Sequence, residues 1–196
     1  MRIAYVVHGF PPEGVAGTEI YTWSLARAVA GQGHDVHVVF PSGVAPGSPL
    51  PLERDGLSLW PILVRSRRDA EWPGARFWHS FRHKGIEKAF ERLVGQIAPD
   101  VVHFQHLQSV SARLLLLARG FPMVLTLHDY WYFCANGQLL RHDRRICDGP
   151  GSGLRCGRCG AARAGLPSSA LWGALLGPPF LYRNRYLRRA LGNVDL

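Results

Sequence analysis

Residues 2–40 spell two short apolar runs around one amphipathic stretch, and that order leaves few folds open. Arg2-Ile3-Ala4-Tyr5-Val6-Val7 lacks polar alternation and is bounded by turn residues, as expected of a strand covered on both faces. A loop carrying Gly9, Pro11, Pro12, Gly14 and Gly17 follows, and Thr18 is a candidate N-cap. Tyr21, Leu25, Ala28 and Val29 then recur at i, i+4, i+7 and i+8, one stripe of a helix that Gly31 and Gly33 close. His34 to Phe40 reads as a second strand. Strand, helix and strand at this spacing are parallel and joined by a right-handed crossover.

The alternation continues. After a Pro/Gly/Ser-rich loop at 41–55, Leu57 to Val64 predicts a third strand. Ile86, Phe90, Leu93 and Ile97 mark a helix stopped by Pro99. Val101 to Phe104 is a strand, Ser109 to Arg119 a helix, and Pro122 to Leu127 a strand. The expected fold is α/β, a doubly wound, mostly parallel Rossmann-like sheet with a cysteine-rich loop. One domain spanning 1–196 accommodates this, including the cysteine loop at 130–160 and a helical segment at 168–192 broken at Pro178-Pro179.

Charge is unevenly spread. Residues 1–64 hold three arginines against five carboxylates, whereas 65–196 hold 20 Lys+Arg against nine. A one-sided basic surface suits anionic partners such as a phosphate-bearing substrate, lipid headgroups or nucleic acid, and equally a solvated face with no partner. No apolar run is long enough for a membrane span, and the N-terminus has no signal-peptide pattern, so the expected location is cytoplasmic.

In sheets of this kind ligands bind beyond the carboxyl ends of the strands. Three strands deliver polar groups there: His8 after the first, Gln105 and His106 after the Val101 strand, and His128-Asp129 after the Val124 strand. A single strand-end histidine is ordinarily a structural hydrogen-bonder; three on one edge make a candidate site. The loop Gly14-Val15-Ala16-Gly17-Thr18-Glu19 opens the first helix, where glycines admit close approach and unpaired N–H groups face an anion. It is neither the dinucleotide fingerprint nor a P-loop, and a plain strand-to-helix turn also explains it.

Cys134, Cys147, Cys156 and Cys159 are spaced C-x12-C-x8-C-x2-C in a Gly/Arg/Asp-rich segment with few core formers. Such a segment needs a staple. Structural zinc held by the four thiolates is the expected staple, with two disulfides, an iron–sulfur cluster and free thiols as the alternatives.

The opening MRIAYVVHGFPPEGVAGTEIYTWSLARAVAGQGHDVHVVFP resembles the start of retaining GT-B glycosyltransferases of the glycogen-synthase-like family 4 group. Those begin with a strand, a Pro/Gly loop, a GG-x-E helix start, then L-A-x-x-L and G-H-x-V; here Ala16 stands for the first glycine of the pair. PDVVHFQH and LTLHDYW resemble later strands of the same N-terminal domain, and the cysteine loop resembles an insertion that follows HDYW in some members. The resemblance implies sugar transfer from a nucleotide-diphosphate donor to a glycan or lipid-linked acceptor. His128 matches the active-site histidine, Gly17 and its neighbours the loop near the donor phosphates, and His106 the acceptor-facing edge. No catalytic metal is implied, and no nucleic acid.

Neither the basic residue nor the E-x7-E pair of the family's C-terminal domain occurs in residues 1–196. The chain is therefore expected to be an N-terminal, acceptor-side half, inactive alone and peripheral to an anionic inner membrane face. The competing function is a zinc-stapled basic module that binds nucleic acid or anionic lipid.

Overall fold

The computed structural model describes residues 1–47, 50–64, 79–134, 137–141, 143–149, 154–163, 165–167, 169–171 and 175. The helical segment expected at 168–192 lies almost wholly outside them, as does the Arg/Trp stretch at 65–78. Two compact units divide the chain, Met1–His128 and Asp129–Leu196.

The first unit is a six-stranded sheet in the order β3-β4-β2-β1-β5-β6. Its strands are β1 (Arg2–Val6), β2 (Asp35–Ser42), β3 (Leu52–Arg54), β4 (Leu57–Leu63), β5 (Val101–Phe104) and β6 (Met123–Leu125). All adjacent pairs are parallel except β3 with β4. Helices α1 (Gly17–Ala30), α2 (Lys84–Ile97) and the short α3 (Leu114–Leu117) connect them. The expected doubly wound α/β sheet is present.

Strand alternation explains why both faces are covered. Tyr5 and Val7 pack with Phe10, Val36, Val38 and Phe40 into a core that Ala26 and Trp23 of α1 join. Ala4 and Val6 point the other way, and on that side Phe90 of α2 lies 6.1 Å from the Phe104 ring. Ile86, Phe90, Leu93, Val94 and Ile97 are all buried, so α2 is held by one apolar stripe. Its start is fixed by His83, whose Nδ1 accepts from the Ile86 N–H at 3.3 Å while Glu87 Oε1 accepts from the His83 N–H at 3.0 Å. Ala98 ends it in the left-handed region at φ 46°.

Three local expectations differ from the structure. The N-cap of α1 is Ala16, not Thr18, so no side chain caps this helix. The stretch Ser109–Arg119 narrows to Leu114–Leu117 because serine hydroxyls capture it in tertiary bonds. The Ser109 N–H donates to Ser80 Oγ, and Ser111 Oγ donates to Glu87 Oε1. The 41–55 loop contains β3, which pairs back on β4 through a turn with Asp55 and Gly56 at positive φ.

In the second unit, turns place Cys134 after Tyr130, and Leu140 bridges Ile146 just before Cys147. Helix α4 (Leu154–Arg163) follows. The buried hydrophobic side chains of this unit, among the described residues, are Trp131, Tyr132, Cys134, Cys156, Cys159 and Ala161.

Candidate functional site

The carboxyl edge of the sheet gathers the polar residues of three strands. The Val7 N–H extends the β1 ladder to Val39, and the Gln105 N–H bonds the Val6 carbonyl, so the chain leaves β1 and β5 side by side. Their next residues meet: the His8 and His106 rings stand 4.8 Å apart. His106 Nδ1 accepts from the Gln108 N–H, which fixes that ring against its own loop.

Gln105 is fully buried and reaches across to the end of β6, where His128 Nε2 lies 2.8 Å from its Oε1. With the amide oxygen as acceptor, His128 carries its proton on Nε2 and presents Nδ1 as the basic atom. The edge of Tyr21, on the first turns of α1, packs on the His128 ring at 5.1 Å. One strand further in, His103 Nε2 contacts Thr126 Oγ1 at 2.8 Å. Burial, and then the charge His128 can carry, pushes the His103 pKa down to about 4, so this ring is neutral at ordinary pH.

Glu19, which the sequence places at the end of the loop that opens α1, has a role in the site that its spacing did not show. It lies in the first turn of α1, is buried, and sets Oε1 3.3 Å from His8 Nε2. Its Oε2 has no hydrogen-bond partner, and neither has the Gln105 side-chain nitrogen. A buried carboxylate oxygen and a buried amide left open on one edge cost stability, which marks the edge for a ligand's polar groups. The clue available in the sequence was an acid in the third helical position after a glycine loop.

That loop is built around Glu19. A Cβ on Gly14 would stand 3.0 Å from Glu19 Cγ and 3.1 Å from the Phe10 nitrogen, and one on Gly9 would stand 3.2 Å from Glu19 Oε1. Gly17 is different, since a Cβ there would meet nothing within 4 Å. Internal packing therefore does not demand a glycine at 17, at the uncapped start of α1. Two outside struts hold the loop: Glu13 accepts from Ser42 Oγ at 2.6 Å and the Gly43 N–H at 3.0 Å, and Arg54 donates to the Pro11 carbonyl at 2.7 Å.

The predicted residues thus divide. His8, Gln105, His106 and His128 converge in the first unit, with Gly14, Ala16, Gly17 and Thr18 forming the adjoining loop and helix start. Asp129 belongs to the second unit, where its Oδ1 accepts from the Trp131 N–H in a tight turn. Cys134, Cys147, Cys156 and Cys159 are also there, and together they line one small cavity. No helix among the described residues is long and apolar enough to cross a membrane.

Comparison with known families gives one match: the model of Glycosyltransferase Family 4 aligns with residues 15–196. Among curated proteins, none matches the chain.

Proposed function

The chain belongs to glycosyltransferase family 4, and from that premise we propose that it binds the acceptor and helps hold the donor in a retaining sugar transfer. The donor is a nucleotide-diphosphate sugar and the acceptor a glycan or a lipid-linked sugar. In the reaction the bond between the anomeric carbon and the diphosphate oxygen breaks. A bond to the acceptor oxygen forms on the same face, and the acceptor's proton passes to the departing diphosphate.

The observation that carries this reading is the gathering of His8, His106, Gln105 and His128 against the first turns of α1. His128, oriented by Gln105, hydrogen-bonds the donor sugar and stabilises positive charge developing on its ring. The uncapped N-terminus of α1, reached past Gly17, approaches the donor phosphates. His8 and His106 face the acceptor. The excess of cations in residues 65–196 holds the protein at an anionic membrane carrying that acceptor.

The test is sugar transfer by the intact enzyme over a panel of nucleotide sugars, with and without His128→Ala. Turnover should fall by about 10²-fold or more while the melting temperature holds, the scale of losing one preorganised stabiliser. A near-normal rate in the variant, or no transfer from any nucleotide sugar, would overturn the reading.

A further inference from the structure

Half of the buried hydrophobic side chains described in the second unit are cysteines: Cys134, Cys156 and Cys159, beside Trp131, Tyr132 and Ala161. The unit leaves Tyr130, Ile146 and Leu154 exposed. Among the described residues of the unit little hydrocarbon is buried, and cysteine makes up half of what is.

Three separate pieces of chain bring the four cysteines to one cavity. Cys134 ends the turn that starts at Tyr130, its N–H bonded to the Tyr130 carbonyl at 2.7 Å. Cys147 follows the Leu140–Ile146 bridge and is tied by its N–H to the Leu139 carbonyl at 2.7 Å. Cys156 and Cys159 stand three apart on α4 and so share one helix face. No disulfide joins any of the four. All four line the same cavity, with Phe133, Leu140 and Arg155 completing its wall. Its free volume is about 10 Å³, the room of a single water-sized particle.

We propose that this cavity is a structural zinc site in which the four cysteines are the ligands. Among the described residues no group of three or more His, Cys, Asp or Glu is already set to hold a metal ion. Binding therefore turns the thiols inward from the cavity wall until each sulfur stands about 2.3 Å from the ion. Four thiols bind one Zn²⁺ and release four protons to solvent, which leaves a net charge of −2 on the centre. Arg155 in the wall and the positive end of α4 beside Cys156 offset that charge. Four protein ligands leave no open position, so the ion holds the unit together and takes no part in sugar transfer. A single occupant touching all four residues accounts for their meeting better than two separate pairs.

The whole 196-residue chain is the right material for the test. Purified without chelator, it should carry about one zinc per molecule, released in step with modification of the thiols. Replacement by Co²⁺ should give the visible bands of a tetrahedral ion and strong thiolate-to-cobalt charge transfer, weakened in Cys147→Ser and in Cys156→Ser. Because such variants can lose the fold of the second unit, the wild-type cobalt spectrum and the metal count decide the matter without them. A mass four hydrogens light under non-reducing conditions, iron with inorganic sulfide, or neither zinc nor a cobalt spectrum would each overturn the proposal. None of these outcomes bears on the transferase reading.

Discussion

Replacing Gln105 by leucine should make the protein more stable and the enzyme slower. Gln105 is fully buried, and its amide has one partner, His128 Nε2 at 2.8 Å, while its nitrogen has none. Gln105→Leu keeps roughly the same volume, so no large cavity opens. It removes one hydrogen bond worth about 0.5–1.5 kcal/mol and relieves a buried orphan donor that costs about 1–3 kcal/mol. His128 is only half-buried, so its freed N–H turns to water and no new orphan appears. The balance is a gain of about 1 kcal/mol, or about 2–4 °C in melting temperature for a chain of this size. Turnover should move the other way. Without the amide oxygen, His128 loses its fixed ring orientation and proton position, and kcat should fall about tenfold or more. Calorimetric melting and a transfer assay on the same preparations read both effects. Gln105→Glu supplies a control, because a carboxylate can still accept from His128 while its buried charge lowers stability. If Gln105→Leu lost 2 kcal/mol or more, the amide would be satisfied in solution and the argument would fail; an unchanged kcat would remove Gln105 from any positioning role.

Further outcomes follow from the same geometry. Gly14→Ala should cost about 1–3 kcal/mol, read by denaturant unfolding, since its Cβ would press on the Phe10 backbone and on Glu19. Gly17→Ala should leave the melting temperature within a degree or two and raise the donor KM, because only a ligand needs that space. Phe90→Ala, which empties a fully buried site between α2 and β5, should lose about 3–5 kcal/mol. For the basic half, binding to vesicles containing anionic lipid should weaken as salt rises, and equal partitioning onto neutral vesicles would remove the membrane from the functional reading.

The parallel sheet was legible because its strands are mostly apolar runs and α2 carries one buried apolar stripe, whereas the stripe read for α1 is not its buried face: Glu19, Thr22 and Ala26 are buried, and Tyr21 and Ala28 are exposed. The 41–55 loop hid β3, since Leu52 to Arg54 forms a strand only by pairing with β4. The Ser109 stretch looked helical by composition, yet the Ser109 N–H found a partner in the Ser80 hydroxyl and the Ser111 hydroxyl one in Glu87. The strand-end histidines could be placed from topology alone, because successive parallel strands all open toward one edge. Glu13 and Arg54 could not be found that way. Their roles depend on three-dimensional neighbours, Ser42 and Pro11, that no local spacing encodes. Sequence patterns report on burial, and a site is made of the groups that burial alone does not explain.

The two edges of the sheet show that difference, and it leads to a prediction about pH. At the amino edge polar groups satisfy one another: Arg2 bonds Asp35 at 2.9 Å and the Ile97 carbonyl, and its N–H bonds Asp100. The Arg2 hydrogen bond is the chief cause that holds the Asp35 carboxyl below the usual range, so its stabilising effect is present above the unfolded pKa and fades only in strong acid. Nearer the carboxyl edge, burial holds His103 neutral with a pKa of about 4, against 6.5 for an ordinary ring. The unfolded chain therefore takes up this proton first as pH falls. Stability should be complete above about pH 6.5, decline toward pH 4, and level off below the folded pKa. The full depression would be worth about 3.4 kcal/mol, but solvent reaches part of the ring, and about 1–2 kcal/mol is the expected loss. His103→Phe should flatten that stretch of the stability curve while leaving the strong-acid loss from Asp35 in place. Urea unfolding at half-unit steps between pH 7 and pH 4 measures it, and an equal slope in wild type and variant would show that His103 is not the group being titrated.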